Sequence, residues 1–394
     1  MFKTITSFSL ALAILVFSLA ATTPYSIAAP LVTIETVPVG NPGNNADSAT
    51  GYGAVNNAFS MGKYKVTIAQ YVAFLNAVAT LLKATESSAI ASSAWIGSGN
   101  AHEADKAATE SMRQTLNQGD FSGTVVIGEG ERDAAPMLYI GERLGALVNK
   151  SHIPELAVAV DPLEGTDLCA QAKGNALSVI AASEKGGLLN APDIYMLKIA
   201  VGSTPKPVRL DLLAPIEDNI ITLAEVKGKK LEDISVMLLD RPRHHEIIAK
   251  IKALGCKIRL IQDGDVQAVI LTCLPEHGVD MYYGIGGAPE GVLAAAAMRC
   301  LGGQMQGQFV FRDTAEEERA KQFGLINPHH VYTTNQLAPG KDIIFVMSGV
   351  TDGVLLKGVH RINAAPSGHK VQSLVLSTAE PSIRWSQSFY AAAE

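Results

Sequence analysis

The stretch Leu156-Ala157-Val158-Ala159-Val160-Asp161-Pro162-Leu163-Glu164-Gly165-Thr166 decides how the rest of the chain is read. Its opening run of consecutive apolar residues is too short for a typical helix and too continuous for a strand with one wet face. It predicts a strand buried on both sides, in a sheet with helices packed on each face. Two carboxylates, Asp161 and Glu164, follow at its carboxyl end, where open α/β sheets place their ligands. Gly165 comes next, and a residue that small lets backbone N–H groups approach a phosphate. The Thr166 hydroxyl is placed to orient an attacking water and help remove its proton.

Working outward, further acidic segments fall at strand ends or helix starts. Thr124-Val125-Val126-Ile127 reads as a β-branched strand, and Gly128-Glu129-Gly130-Glu131-Arg132-Asp133 follows it. A helix predicted over 100–118 carries Asp105. Gly286-Gly287-Ala288-Pro289-Glu290-Gly291 leads into a helix predicted over 291–301. Any one of these loops is as readily a turn or a helix cap. Several in one chain describe carboxylates gathered without cationic partners, a repulsive arrangement that hard divalent cations relieve. Two Mg²⁺ or Mn²⁺ ions held this way would clamp a phosphoryl group and activate water.

Substrate contacts have weaker signals. Asp240-Arg241-Pro242-Arg243-His244-His245-Glu246 opens a helix predicted over 243–254, where Arg243 and His244 could meet a phosphate. Asp263-Gly264-Asp265 is a turn before a helix predicted over 265–274 and suits sugar hydroxyls. Asn190-Ala191-Pro192-Asp193-Ile194-Tyr195 offers the Tyr195 hydroxyl. Taken alone, Asp263 and Asp265 read equally well as helix caps, Arg241 as surface charge and Tyr195 as packing.

Strands are predicted at 235–239, 257–261 and 280–283, and a mixed segment over 342–375 ends in strand-like residues 371–376. The fold class is α/β, in two αβ layers, with the second beginning near residue 206. The 394 residues are 47% apolar and 18% charged, which excludes a mostly disordered chain. The net charge of −6 and the lack of a basic block argue against nucleic acid as a partner. The cysteines Cys169, Cys256, Cys273 and Cys300 are too dispersed for a zinc site and read as buried thiols.

At the N-terminus, Lys3 precedes an apolar run over 8–21, and Ser26 and Ala28 fit signal-peptidase cleavage after Ala28. Residues 1–28 are therefore expected to be a signal peptide, which points to an exported protein with no stable membrane insertion after cleavage. Residues 29–79 read as an appended, loop-rich fragment. Its segment 59–78 resembles the opening of a formylglycine-generating-enzyme-like (sulfatase-modifying-factor) domain. Residues 80–205 and 206–394 read as a metal-binding and a substrate-binding α/β subdomain.

Residues 95–384 resemble the class II (bacterial-type) fructose-1,6-bisphosphatases. The resemblance rests on the stretches at 126–142, 159–166, 190–196, 240–244, 263–265 and 284–292. It implies a layered αβαβα sandwich, shared with inositol monophosphatases, and metal-dependent release of the 1-phosphate of fructose 1,6-bisphosphate in gluconeogenesis. Sedoheptulose bisphosphate or an inositol phosphate is the alternative substrate, and an exported non-catalytic fusion the alternative role. Asp105 and Glu129 would hold one Mn²⁺ or Mg²⁺, and Asp161, Glu164 and Glu290 a second. Thr166 would serve the nucleophilic water, with Asp133 beside it. Glu164, Gly165, Thr166, Tyr195, Arg243, His244, His245, Asp263, Gly264, Asp265 and Gly287 would contact a small sugar bisphosphate. A homo-oligomer and a cytoplasmic location are the family's expectation, the latter in conflict with the signal peptide. The chain departs from the family pattern at Asn100 and Ala101, where an acidic residue and a Lys are usual. Loss of that Lys could weaken phosphate binding by about 1.5–3 kcal/mol.

Overall fold

A computed structural model describes residues 36–39, 59–62, 68–130, 137–148, 150, 155–325, 327, 329–363, 367–379 and 382–391, with side chains from residue 77 onward. The signal-peptide reading of residues 1–28 lies outside them. The elements begin with strands β1 (Thr36–Val39) and β2 (Phe59–Gly62), which pair antiparallel, and helices α1 (Ile68–Ser93) and α2 (Ala101–Asn117). Then come β3 (Ser122–Ile127), β4 (Arg143–Leu144), β5 (Glu155–Glu164), α3 (Thr166–Ala170), β6 (Leu177–Glu184), β7 (Tyr195–Val201), α4 (Ile216–Lys227) and β8 (Ser235–Leu239). They continue through α5 (His245–Ala253), β9 (Lys257–Ile261), α6 (Asp265–Leu271), β10 (Met281–Gly287), α7 (Ala288–Leu301), β11 (Gln304–Val310) and α8 (Thr314–Gln322). The chain closes with β12 (Tyr332–Thr333), α9 (Thr334–Leu337), β13 (Ile344–Gly349), β14 (His360–Ile362), β15 (Gly368–Ser377) and β16 (Arg384–Ala391).

Besides the β1–β2 pair there are two large sheets. One runs β14-β15-β13-β6-β5-β3-β4, with β16 on β15; the other runs β12-β11-β7-β10-β8-β9. Alternation along the strands shows how they stack, because successive side chains point to opposite faces. Ala159, Val179, Phe345 and Leu374 enter a core shared with α6 and α7. Their neighbours Val158, Val160, Ile180 and Val346 face a separate core with α1 and α2. In the second sheet Met196 and Ala200 of β7 join the α6–α7 core, while Ile199 and Val201 pack with α4 and α5. The result is α1/α2, sheet, α6/α7, sheet, α4/α5: the expected αβαβα sandwich. Helix α7 is buried through Ala294-Ala295-Ala296-Ala297, and these short side chains let both sheets approach it.

Chain order and sheet membership differ from the sequence reading. The boundary expected near 206 is not where the sheets divide. β7 already belongs to the second sheet, and β13 to β16 return to the first. Buried Glu86 of α1 fixes that return, accepting hydrogen bonds from Ser373 (2.9 Å), Ser388 (2.7 Å) and Tyr390 (2.5 Å). α1 also runs unbroken across the boundary expected at 79–80. Two helix starts move as well. Pro242–His244 forms a separate 3₁₀ turn, so α5 begins at His245, and α7 begins at Ala288, which puts Glu290 in its first turn.

Candidate metal and phosphate site

The carboxylates converge on one cleft of about 320 Å³, lined by Asp105, Glu129, Asp161, Glu164, Gly165, Thr166, Asp193, Asp263 and Glu290 among others. Each reaches it by a local device. Asp105 lies one turn into α2, whose start is capped by Asn100 accepting the Glu103 N–H at 3.2 Å. Glu129 stands just beyond β3. Asp161 and Glu164 lie within the end of β5 rather than after it, and the β5–β6 register shifts between them. Pro162 sits in that irregular stretch, where a missing N–H does least harm, and the bulge turns both carboxylates toward the cleft. Gly165 holds φ 82°, a left-handed turn that reverses the chain so that Thr166 faces the same space. Glu290 comes from the first turn of α7, folded so closely over Gly287 that a Cβ there would lie 1.9 Å from its carboxylate.

Burial and mutual repulsion have one consequence for all of these groups. Desolvation, then the Asp105 charge, push the Glu129 carboxyl up to about 8. Desolvation, then Asp265, push Glu290 up to about 7. Asp161 and Glu164 are raised well above the ordinary range by burial and then by their acidic neighbours. Glu164 accepts the Val266 N–H at 3.0 Å through one oxygen, while its other oxygen and one oxygen of Glu290 are buried without a hydrogen-bond partner. Such oxygens are what a hard cation takes as ligands, so the donor set fits a divalent metal. Among the described residues no three or more His, Cys, Asp or Glu side chains already stand close enough together to hold a metal ion; the carboxylates line the cleft without converging on one point.

The expected substrate residues divide. Asp263 lines the cleft, with its carboxylate accepting the Gly264 N–H at 3.1 Å. Gly264 holds φ 90°, which opens α6. Tyr195 begins β7 opposite Gly287 of β10, with the Arg243 guanidinium 4.8 Å from its ring centre. His245 is exposed at the first residue of α5. His244 is different: its side chain is buried, Nδ1 meets the Leu239 carbonyl at 2.8 Å, and Nε2 accepts the Ile285 N–H at 2.8 Å. Both ring nitrogens are committed to bracing β8 against β10, which leaves neither for a ligand. Asp265 is also buried, and its Oδ2 is ion-paired with Lys198 and 3.3 Å from the Tyr282 hydroxyl, so that oxygen braces the protein interior. Asp133 lies outside the described residues.

Two residues escaped sequence reading. Asp193 adds a carboxylate beside Glu129 and Glu290. Lys198 is 1% exposed and joins Asp265 to the Gly287 carbonyl (2.8 Å), tying the Asp263 turn to the Glu290 turn. A lysine inside the otherwise apolar run Met196-Leu197-Lys198-Ile199-Ala200 was its available signal, since buried lysines are nearly always paired. All four cysteines are free thiols, with Cys169 and Cys256 buried and Cys273 and Cys300 half-buried.

The family model of the glpX-encoded bacterial fructose-1,6-bisphosphatases matches residues 75–390. A Crocosphaera subtropica protein named D-fructose 1,6-bisphosphatase class 2/sedoheptulose 1,7-bisphosphatase is 40% identical over 325 residues, covering 77% of this chain and 93% of its own. Proteins of the same name from Microcystis aeruginosa and Synechococcus elongatus are 39% and 40% identical over the same shares. Among the described residues no helix is long and apolar enough to cross a membrane.

Proposed function

Because the chain belongs to the family of glpX-encoded bacterial fructose-1,6-bisphosphatases, we propose that it hydrolyses the 1-phosphate ester of fructose 1,6-bisphosphate. Water is consumed, and inorganic phosphate and fructose 6-phosphate are released. The observation that carries this reading is the cleft itself: buried carboxylates with unpartnered oxygens, opening directly onto Gly165 and Thr166. Asp105 and Glu129 would hold one divalent cation, and Asp161, Glu164 and Glu290 a second, Mn²⁺ or Mg²⁺. When bound, these ions supply the positive charge that the phosphoryl oxygens need and make water a better nucleophile.

The chain's own residues do the rest. The left-handed turn at Gly165 leaves the backbone open for a phosphate to approach. The Thr166 hydroxyl accepts a hydrogen bond from the attacking water, fixes its line of approach and helps draw off its proton. Asp263 receives sugar hydroxyls, while Tyr195 and Arg243 take the end of the substrate away from the cleft. With Mn²⁺ supplied, the purified protein should release phosphate from fructose 1,6-bisphosphate; a complete lack of release would end this reading.

Sedoheptulose 1,7-bisphosphate is the second substrate to test, because the cyanobacterial relatives carry both activities in their names. A panel with both ketose bisphosphates and an inositol phosphate separates the readings. Export is proposed from the apolar run over 8–21 and the small residues before Ala29. Mass spectrometry of the mature N-terminus in separated cell fractions tests it; an intact Met1 in the cytoplasmic fraction would reverse it.

A further inference from the structure

Tyr195 has two guanidinium groups beside its ring. Besides Arg243, Arg312 places its guanidinium carbon 6.0 Å from the ring centre. Arg312 follows the end of β11 by two residues, and the last residue of that strand, Val310, is the cross-strand partner of Tyr195. The placement is built rather than incidental. The Arg312 backbone N–H and Nε both donate to Glu316, at 2.7 and 2.6 Å, and Nη2 pairs with the same carboxylate, so one side chain holds the backbone and one edge of the guanidinium and leaves the other edge outward. Helix α8 is pinned to the loop before Tyr195 by Arg319, whose Nη2 donates to the Asp193 carbonyl at 3.0 Å. Arg243 is restrained in the same manner, its Nε and Nη2 both donating to the Ile285 carbonyl at 3.1 and 2.7 Å. Even so, the Arg312 side chain is 68% exposed. Both arginines are thus held from behind and open in front.

The carboxylate cleft is immediately adjacent. Tyr195 pairs with Gly287 across β7 and β10, and the Ala288 N–H donates to the Ile194 carbonyl at 2.8 Å, just before the turn that carries Glu290. A bisphosphate that puts one phosphate among the metal-binding carboxylates must keep its other phosphate out of them, since nothing there would offset the repulsion. The rim at Tyr195 is where guanidinium donors meet it. Arginine suits that task because its fixed fork of N–H groups matches phosphate oxygens.

We infer that Arg312 is a specificity-determining residue that, with Arg243, holds the distal phosphate of the sugar bisphosphate against the Tyr195 rim. This rests on reading the cleft as a bisphosphatase site. Arg312→Gln should raise KM for fructose 1,6-bisphosphate about tenfold or more, within the range for one charged hydrogen bond, with kcat changed less than about twofold. Phosphate release from fructose 1-phosphate, which lacks the distal group, should not change. Arg312→Lys should recover part of the loss. Equal loss on both substrates, or no loss on either, overturns the inference. A binding measurement separates its fate from that of the activity: by calorimetry, fructose 6-phosphate should bind wild-type protein about tenfold tighter than Arg312→Gln. Equal affinities, or no binding to wild type, also overturn it. A retained difference in a protein inactive on fructose 1,6-bisphosphate would sink the bisphosphatase reading and leave the role of Arg312 standing.

Discussion

Two buried acidic regions behave in opposite ways. Asp280, at the start of β10, is almost fully buried, and Lys227 and Lys229 each place an ammonium 2.7 Å from one of its oxygens, while the Ser235 N–H donates to the other at 3.0 Å. Burial alone would raise this carboxyl, but the two lysines and the N–H outweigh it and hold it below its ordinary range. Of the cleft carboxylates Glu164 is as buried, and Glu129, Asp161 and Glu290 are half-buried; desolvation, and then neighbours that are mostly other carboxylates, give their shift the other sign. The same residue type is therefore a structural clamp where the chain supplies its cation and, on the proposed function, a binding site where it does not. Buried acids lacking an internal counter-charge carry a cost in stability, which an external ion offsets.

The widest separation between the two regions should come from matched substitutions. On the proposed function, in which Asp161 is a charged metal donor, Asp161→Asn should reduce turnover by at least about a hundredfold. It should not lower the melting midpoint of the metal-free protein, because one repulsive charge is relieved. Asp280→Asn should do the reverse: a loss of about 2 kcal/mol in stability, discounted because Lys229 is part-exposed, with kcat unaltered. Kinetics and thermal melts on both variants check this crossing, and similar effects from the two would dissolve the distinction.

Acidity gives a finer test. Glu129 and Glu290 are raised from 4.5 to about 8 and about 7, so between those values the folded, metal-free protein keeps protons that the unfolded chain releases. Its stability therefore falls as pH rises through that window, and metal affinity rises across it because cations bind the deprotonated groups. The increase in melting midpoint on adding Mn²⁺ should be larger near about pH 8 than near about pH 6. A pH-independent increase would mean that the cleft acids are not the ligands.

The smallest effect is expected at Ala101. It is the first residue of α2, half-buried, one helical turn before Asp105 on the same face. Ala101→Lys should lower KM for fructose 1,6-bisphosphate a few-fold, about 1 kcal/mol, less than a fully buried charge would give because solvent screens this helix end. Steady-state kinetics decide it. An unchanged KM would show that the departure from the family pattern at this position has no consequence for binding.

Much of this was local information. Residues 156–160 announced a strand covered on both faces, since continuous apolar residues over so short a run admit little else. The positions of Glu129, Asp161 and Glu290 were legible because each stands near the end of a strand or the start of a helix, and such positions are written in neighbouring residues. Pairing across the sequence was not written there. That β7 crosses to the second sheet, and that β13 to β16 return to the first, follows from long-range contacts such as Glu86 with Tyr390. For the same reason His244 looked like a ligand group and is an internal brace, as is one oxygen of Asp265. A motif shows that a side chain can donate or accept, and the tertiary environment decides what it meets. The acidic loops were the sequence's own contribution. That Glu129, Asp161 and Glu290 share one cleft in which, among the described residues, no lysine or arginine pairs with them, while Asp280 has two lysines, was decided only by the packing of the two sheets around α7.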